Sequence, residues 1–170
     1  MQVEFTPTEE DHRIAKLAAL AIGIHVLESA IPSPIPGIKP GLANVITLLT
    51  FVLYGWRAAV WVSLLRVVIG SVIVGTFFSP TFMLSLSGAC ASLVVLVVIA
   101  GSGGLGLSPI GLSIVTAMAH MAGQFGVAYA LFVPHPALLG LLPVLMTAAL
   151  LFGAVSGVFT CKVLARLRSP

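Results

Sequence analysis

Charged residues are scarce in this chain. Asp, Glu, Lys and Arg make up 8% of its 170 residues, whereas hydrophobic residues make up 59%. A soluble domain carries about a quarter charged residues, so this composition could not cover a water-facing surface. Apolar runs long enough to cross roughly 30 Å of hydrocarbon recur along the chain. The sequence therefore predicts an integral membrane protein in a lipid bilayer.

Motifs for catalysis and for nucleotide binding are also missing. The sequence has no Asp-Asp-x-x-Asp cluster to hold magnesium for prenyl transfer and no Gly-x-x-x-x-Gly-Lys-Ser/Thr loop to bind ATP. Its two cysteines, Cys90 and Cys161, lie apart in apolar segments, and no basic run suggests a nucleic-acid partner. We expect a protein that is not an enzyme and that has no cofactor, no metal site and no nucleic-acid partner.

The apolar segments predict an all-α fold, an integral membrane bundle of six transmembrane helices. Residues 12–165 form this single domain, between a short polar tail at 1–11 and a basic cytoplasmic tail at 166–170. The second segment is short for a span. The predicted segments are His12–Ile31, Gly41–Gly55, Ala58–Phe78, Thr81–Ala100, Pro109–Val133 and Ala137–Leu164.

The cations indicate how the bundle is oriented. With six spans, both termini share one side, and the opposite side carries Lys39 as its one cation. The positive-inside bias then places both termini in the cytoplasm of a bacterial cell, with the protein in the cytoplasmic (inner) membrane. The cations on the predicted inner side are Arg13, Lys16, Arg57, Lys162, Arg166 and Arg168.

The longest break in the apolar sequence runs from Ile31 to Asn44 and contains four prolines. Proline fixes φ and removes a backbone donor, so no helix continues through this stretch. Polar groups lie in or beside it, and ionisable groups inside membrane helices indicate a site by default. We therefore predict that the loop caps a small-molecule site near the outer face. The candidate ligand-binding residues are His25, Glu28, Lys39, Asn44, Arg66, His120 and Gln124.

Each candidate also has a structural interpretation. Glu28 and Arg66 could form a buried ion pair, because charges in membranes commonly pair. His120 and Gln124, one helical turn apart, could make hydrogen bonds between helices, and His25 could serve helix packing. Lys39 could extend to the lipid headgroups.

The first predicted helix has two different faces. At 100° per residue, His25 and Glu28 share one side with Ala18. Ala15 and Ala19 lie about a third of a turn away, on a face of small residues. Small residues let helices approach closely in membranes, so this second face is a candidate for docking a partner.

Two stretches resemble a known family. Arg13-Ile-Ala-Lys-Leu-Ala-Ala-Leu-Ala21 resembles the first helix of the S components of energy-coupling factor (ECF) transporters, which dock a T component through an Ala-x-x-x-Ala face. The stretch from Ile31 to Ile46 is similar to a membrane family known both as Gx transporters and as heptaprenyl diphosphate synthase component I. The likeness covers about residues 13–165.

The resemblance implies a binding subunit for a small molecule, taken up from outside and released inward with a T component and two ATPases. Reading Lys39, Arg66 and the histidines as ligand contacts suggests an anionic, vitamin-like or cofactor-like molecule. Two alternatives remain open. One is a non-catalytic membrane subunit of isoprenoid or quinone synthesis, and the other is a structural subunit of a membrane redox complex.

Overall fold

The structure is a computed structural model that describes residues 7–30, 42–103 and 106–168. Within these ranges all regular secondary structure is helical. A π-helical segment continues α5, and a 3-10 helix precedes α6. In chain order the helices are α1 (Glu9–Ala30), α2 (Leu42–Tyr54), α3 (Trp56–Val74), α4 (Pro80–Gly101), α5 (Pro109–Val127), the π-helical segment Ala128–Phe132, the 3-10 helix Pro136–Leu141 and α6 (Leu142–Arg168).

Helix α1 begins earlier than predicted, at Glu9 instead of His12. Asp11 accepts a hydrogen bond from the Thr8 backbone N–H at 2.8 Å, and the Thr8 hydroxyl oxygen accepts one from the Asp11 N–H at 3.2 Å. This reciprocal cap satisfies backbone donors that the first turn would leave unpaired. The bonds from Thr8 also hold the pKa of Asp11 below its usual value. The first turn of α1 thus falls inside the stretch predicted as a polar tail.

The other helix boundaries follow from capping residues and glycines. Ser79 and Ser108 cap α4 and α5, and each is followed by proline at the first helical position, where a missing N–H does no harm. Gly55 and Gly75, at φ +86° and +76°, reverse the chain after α2 and end α3. Gly75 ends α3 four residues before the predicted Phe78, because hydrophobicity alone does not locate this left-handed turn.

Four helical stretches in the described part of the chain are long and apolar enough to cross a membrane: 56–74, 80–101, 109–132 and 136–167. Helix α2 has 13 residues, which gives about 20 Å at 1.5 Å per residue. Helix α1 has the length, but charged side chains occur along it from Glu9 to Glu28. Of the six predicted spans, four therefore have the length and composition to cross a membrane, and the first two stay predictions.

Helix α2 occupies the centre of the bundle. Residues 43 and 45–50 of α2 are buried. One core cluster joins its Leu49 to side chains of α1, α3 and α6, and another joins its Leu48 to α4 and α5. The outer faces of the surrounding helices are apolar, as Trp61, Val94 and Val155 illustrate, each about 60% exposed. Such faces suit contact with lipid.

Glycines let α5 and α6 pack closely. A Cβ atom on Gly157 would lie 2.7 Å from the Cα atom of Ile110, a backbone atom that cannot rotate away. We expect Gly157→Ala to lower the free energy of unfolding by about 1–3 kcal/mol, the usual cost of overpacking. Thermal unfolding in detergent measures this. Gly126→Ala is the matched control, because a Cβ there meets nothing within 4 Å; equal melting temperatures for the two variants would contradict the packing argument.

Candidate functional site

The bundle encloses a cavity of about 480 Å³. Its walls come from the last parts of α1 and α3, the first parts of α2, α4 and α6, and much of α5. The cavity therefore lies toward the end of the bundle where α3 connects to α4 and α5 connects to α6. Cavities of 300–1,000 Å³ are of the size that binds small molecules.

Most of the residues predicted from the sequence converge on this one cavity. Lys39 lies outside the described residues, as does most of the proline-rich stretch. Ligand binding by the others stays a prediction, whereas their common location is a property of the fold. The predicted residues that line the cavity are His25, Glu28, Asn44, Arg66, His120 and Gln124.

Opposite charges lie in the cavity wall. Glu28 on α1 and Arg66 on α3 are each 5% exposed, and within the described ranges no other charged side chain is buried. The two interact electrostatically. The Nε atom of Arg66 is buried and has no hydrogen-bond partner. An unsatisfied donor on a buried charge is costly, so this atom needs an acceptor that the described protein groups do not provide.

A second buried donor lies on α5. The Gln124 side-chain nitrogen is 3.1 Å from Nε2 of His120, so the two predicted partners meet along one helix. If the amide nitrogen is the donor, as its placement in the structure has it, Nε2 accepts and the imidazole proton is on Nδ1. The Nδ1 atom of His120 is buried and has no hydrogen-bond partner.

Glycines on neighbouring helices leave the space that the His25 and His120 side chains occupy. A Cβ atom on Gly70 would lie 2.7 Å from Cδ2 of His25, and one on Gly88 would lie 2.7 Å from Nε2 of His120. Real Cβ atoms do not come so close to other atoms. Each imidazole on the cavity wall therefore occupies space that a glycine leaves open.

Sequence reasoning missed the α6 wall and the apolar part of the cavity. The buried stripe on α6 runs through Gly153, Ser156 and Gly157, and the Gly-x-x-x-Gly spacing could have indicated it. Aromatic rings from α4 and α6, those of Phe82 and Phe152, also line the cavity. No spacing rule separates these two from phenylalanines that face lipid.

The two faces of α1 differ in burial as the helix phase predicts. Ala18 and Glu28 are buried, whereas Ala15 and Ala19 are exposed. Gly23 extends the exposed small-residue stripe, and a Cβ there would meet nothing within 4 Å. The stripe is exposed on this chain and accessible to a partner protein, and docking at it stays a prediction.

The opposite end of the bundle carries exposed cations. The Arg13 guanidinium lies 4.7 Å from the centre of the Tyr54 ring, which connects the start of α1 to the end of α2. Leu164 near the end of α6 packs in the same core cluster as Ala18 of α1. An open groove there is lined by charged and apolar groups, none of them a predicted ligand contact. In the described ranges no group of three or more His, Cys, Asp or Glu residues could hold a metal ion.

The long apolar helices, the lipid-facing exterior and the interior polar cavity define a helical membrane protein. A family model described as heptaprenyl diphosphate synthase component I matches residues 17–163, and the chain belongs to this family. No curated protein and no solved structure was found to match it.

Proposed function

We propose that this chain is the substrate-binding membrane subunit of an ECF-type importer for a small, anionic, vitamin-like or cofactor-like molecule. The observation that carries the proposal is the convergence of six polar side chains, two of them charged and buried, on one cavity of about 480 Å³. Membrane proteins place ionisable groups inside the bundle chiefly along substrate pathways.

The same proposal sets the orientation. Arg13, Arg57 and Arg166 lie at or near helix ends on the side of the bundle away from the cavity. By the positive-inside bias that end faces the cytoplasm, with both termini, and the cavity lies toward the outside. In a bacterium this corresponds to a binding subunit in the cytoplasmic membrane that receives its ligand from outside.

The experiment that tests the function is mass spectrometry of the small molecules that co-purify with the protein in mild detergent. We expect one water-soluble molecule in about stoichiometric amount, which is lost from Arg66→Gln. Absence of any such molecule, from protein that remains folded by thermal unfolding, would contradict a binding subunit.

The exposed face of α1 is the proposed docking surface for a T component, which would bring two ATPase subunits. Leucine at Ala15 or Ala19 should block close helix contact, and an overpacking cost of about 1–3 kcal/mol corresponds to roughly tenfold or more in affinity. We expect uptake of the identified molecule into cells to fall by about that factor, while its retention by the purified subunit is unchanged. Ala122→Leu, at an exposed alanine of α5, is the control and should affect neither; loss of retention in Ala15→Leu would contradict the docking assignment.

The description of the family favours a second candidate. In this alternative, the chain is a non-catalytic membrane subunit that works with another component of heptaprenyl diphosphate synthase. The same co-purification separates the two. A polyprenyl lipid in the cavity, or a soluble prenyl synthase bound to the protein with no water-soluble ligand, would favour the synthase.

A further inference from the structure

Two buried nitrogen atoms in the cavity have no hydrogen-bond partner among the described residues. They are Nε of Arg66 on α3 and Nδ1 of His120 on α5, and their side chains line the same cavity. Arg66 and His120 also interact electrostatically. Buried polar groups in folded proteins are nearly always hydrogen-bonded, so a missing partner on both walls suggests a common one.

Net charge does not select the ligand here, because Glu28 offsets the charge of Arg66. Direction does. An N–H from the guanidinium and an N–H from a neutral imidazole can both be satisfied by a group with several acceptor lone pairs and no proton. Hydrogen bonds in which the donor or the acceptor is ionised are about twice as strong as those between neutral groups, and an Arg guanidinium matches the geometry of a carboxylate or phosphate.

We propose that the ligand carries an oxyanion, a carboxylate or a phosphate, that accepts hydrogen bonds from Arg66 Nε–H and His120 Nδ1–H. This rests on the proposed function and adds the part of the ligand that is recognised and the atoms that recognise it. Glu28 lies in the same cavity and would repel an oxyanion placed beside it, so the rest of the ligand, not the oxyanion, faces Glu28.

Other residues of the cavity wall agree with this assignment. The Gln124 side-chain nitrogen lies 3.1 Å from Nε2 of His120; in the amide orientation that makes Nε2 the acceptor, the imidazole proton is on Nδ1. Phe82 and Phe152 supply apolar surface in the same cavity. The ligand we infer is therefore an organic acid or phosphate ester with an apolar or planar body.

The test uses the methanol extract of the expression host as probe, divided by anion exchange into carboxylates, phosphates and non-anionic molecules. Each fraction is added to ligand-free protein, and molecules retained after gel filtration are measured by mass spectrometry. Retention from an anionic fraction supports the proposal, and the fraction identifies carboxylate or phosphate. Retention from the non-anionic fraction alone would contradict the oxyanion proposal but would still agree with a binding subunit of an importer. Retention from no fraction would contradict both proposals.

Variants of Arg66 and His120 test which atoms donate hydrogen bonds to the ligand. Arg66→Lys keeps the charge but removes Nε–H, and we expect retention to fall roughly tenfold or more, the effect of losing a charged hydrogen bond. His120→Asn places an amide N–H near the position of Nδ1 and should retain the molecule within about threefold of the parent, whereas His120→Gln should lose it roughly tenfold.

The matched controls are Arg57→Lys and His135→Gln, which lie outside the cavity. Arginine labelled with ¹⁵N gives a measurement that needs no cavity variant other than Arg66→Lys, which assigns the Nε–H signal. A shift of that signal on addition of the retained fraction supports the proposal. Retention that is unaffected by the Arg66 and His120 variants, together with an Nε–H signal that does not shift when the retained fraction is added, would overturn it.

Discussion

Glu28→Gln or Arg66→Gln, each made alone, should lower the free energy of unfolding by about 3–5 kcal/mol. Each change removes one of two buried opposite charges, so the charge that remains loses that interaction. The double variant should recover most of the loss, because two neutral amides are far less costly to bury than one charge whose opposite charge has been removed.

Thermal and denaturant unfolding in one detergent measure these changes, and the double-mutant cycle gives the interaction between the two sites. Arg57→Gln is the control, since its exposed guanidinium should contribute within about 0.5 kcal/mol. Additive effects of the two single changes would show that Glu28 and Arg66 do not stabilise each other.

The same cycle separates structure from function. If the charges serve only stability, the double variant should bind whatever the parent binds. If Arg66 contacts a ligand, the double variant should be stable and still fail to retain it. The structural and the functional interpretations of these charges therefore predict different results from one protein.

Helix phase predicted that several of the polar side chains lining the cavity share the interior of the bundle, but not the α6 wall. His25 and Glu28 lie one turn apart near the end of α1, and Arg66 lies on the buried side of α3. Arg66 lies about midway along α3 (Trp56–Val74) and interacts electrostatically with Glu28.

The central position of α2 could not be predicted. Its sequence from Leu42 to Tyr54 is apolar apart from Asn44, Thr47 and Thr50. This short polar stripe indicates one inward side, but nothing in the sequence indicates that the other sides are buried as well. Tertiary packing determines the position of α2, and the other helices surround it. The location of Phe82 and Phe152 on the cavity wall could not be predicted either. In a membrane protein an apolar side chain suits both the interior of the bundle and the lipid-facing surface.

Gly88→Ala should weaken retention of the ligand while the bundle stays folded. The new Cβ would lie 2.7 Å from Nε2 of His120 and 2.8 Å from Cγ of Gln124. Both atoms belong to side chains that can rotate, so the obstacle moves into the cavity and the helices need not separate. Loss of the His120 contact and of cavity volume should weaken retention by roughly tenfold or more.

The contrast with two glycines of α5 makes this result diagnostic. A Cβ on Gly123 would lie 2.7 Å from the backbone oxygen of Ser87, which cannot rotate away, so Gly123→Ala should lower the melting temperature. Gly126→Ala, with open space at its Cβ, should change neither stability nor retention. Mass spectrometry of the retained molecule, with thermal unfolding of each variant, measures both effects. Unchanged retention in Gly88→Ala would mean that the position of His120 does not matter to the ligand, and the site would have to be sought on the Glu28 and Arg66 side of the cavity.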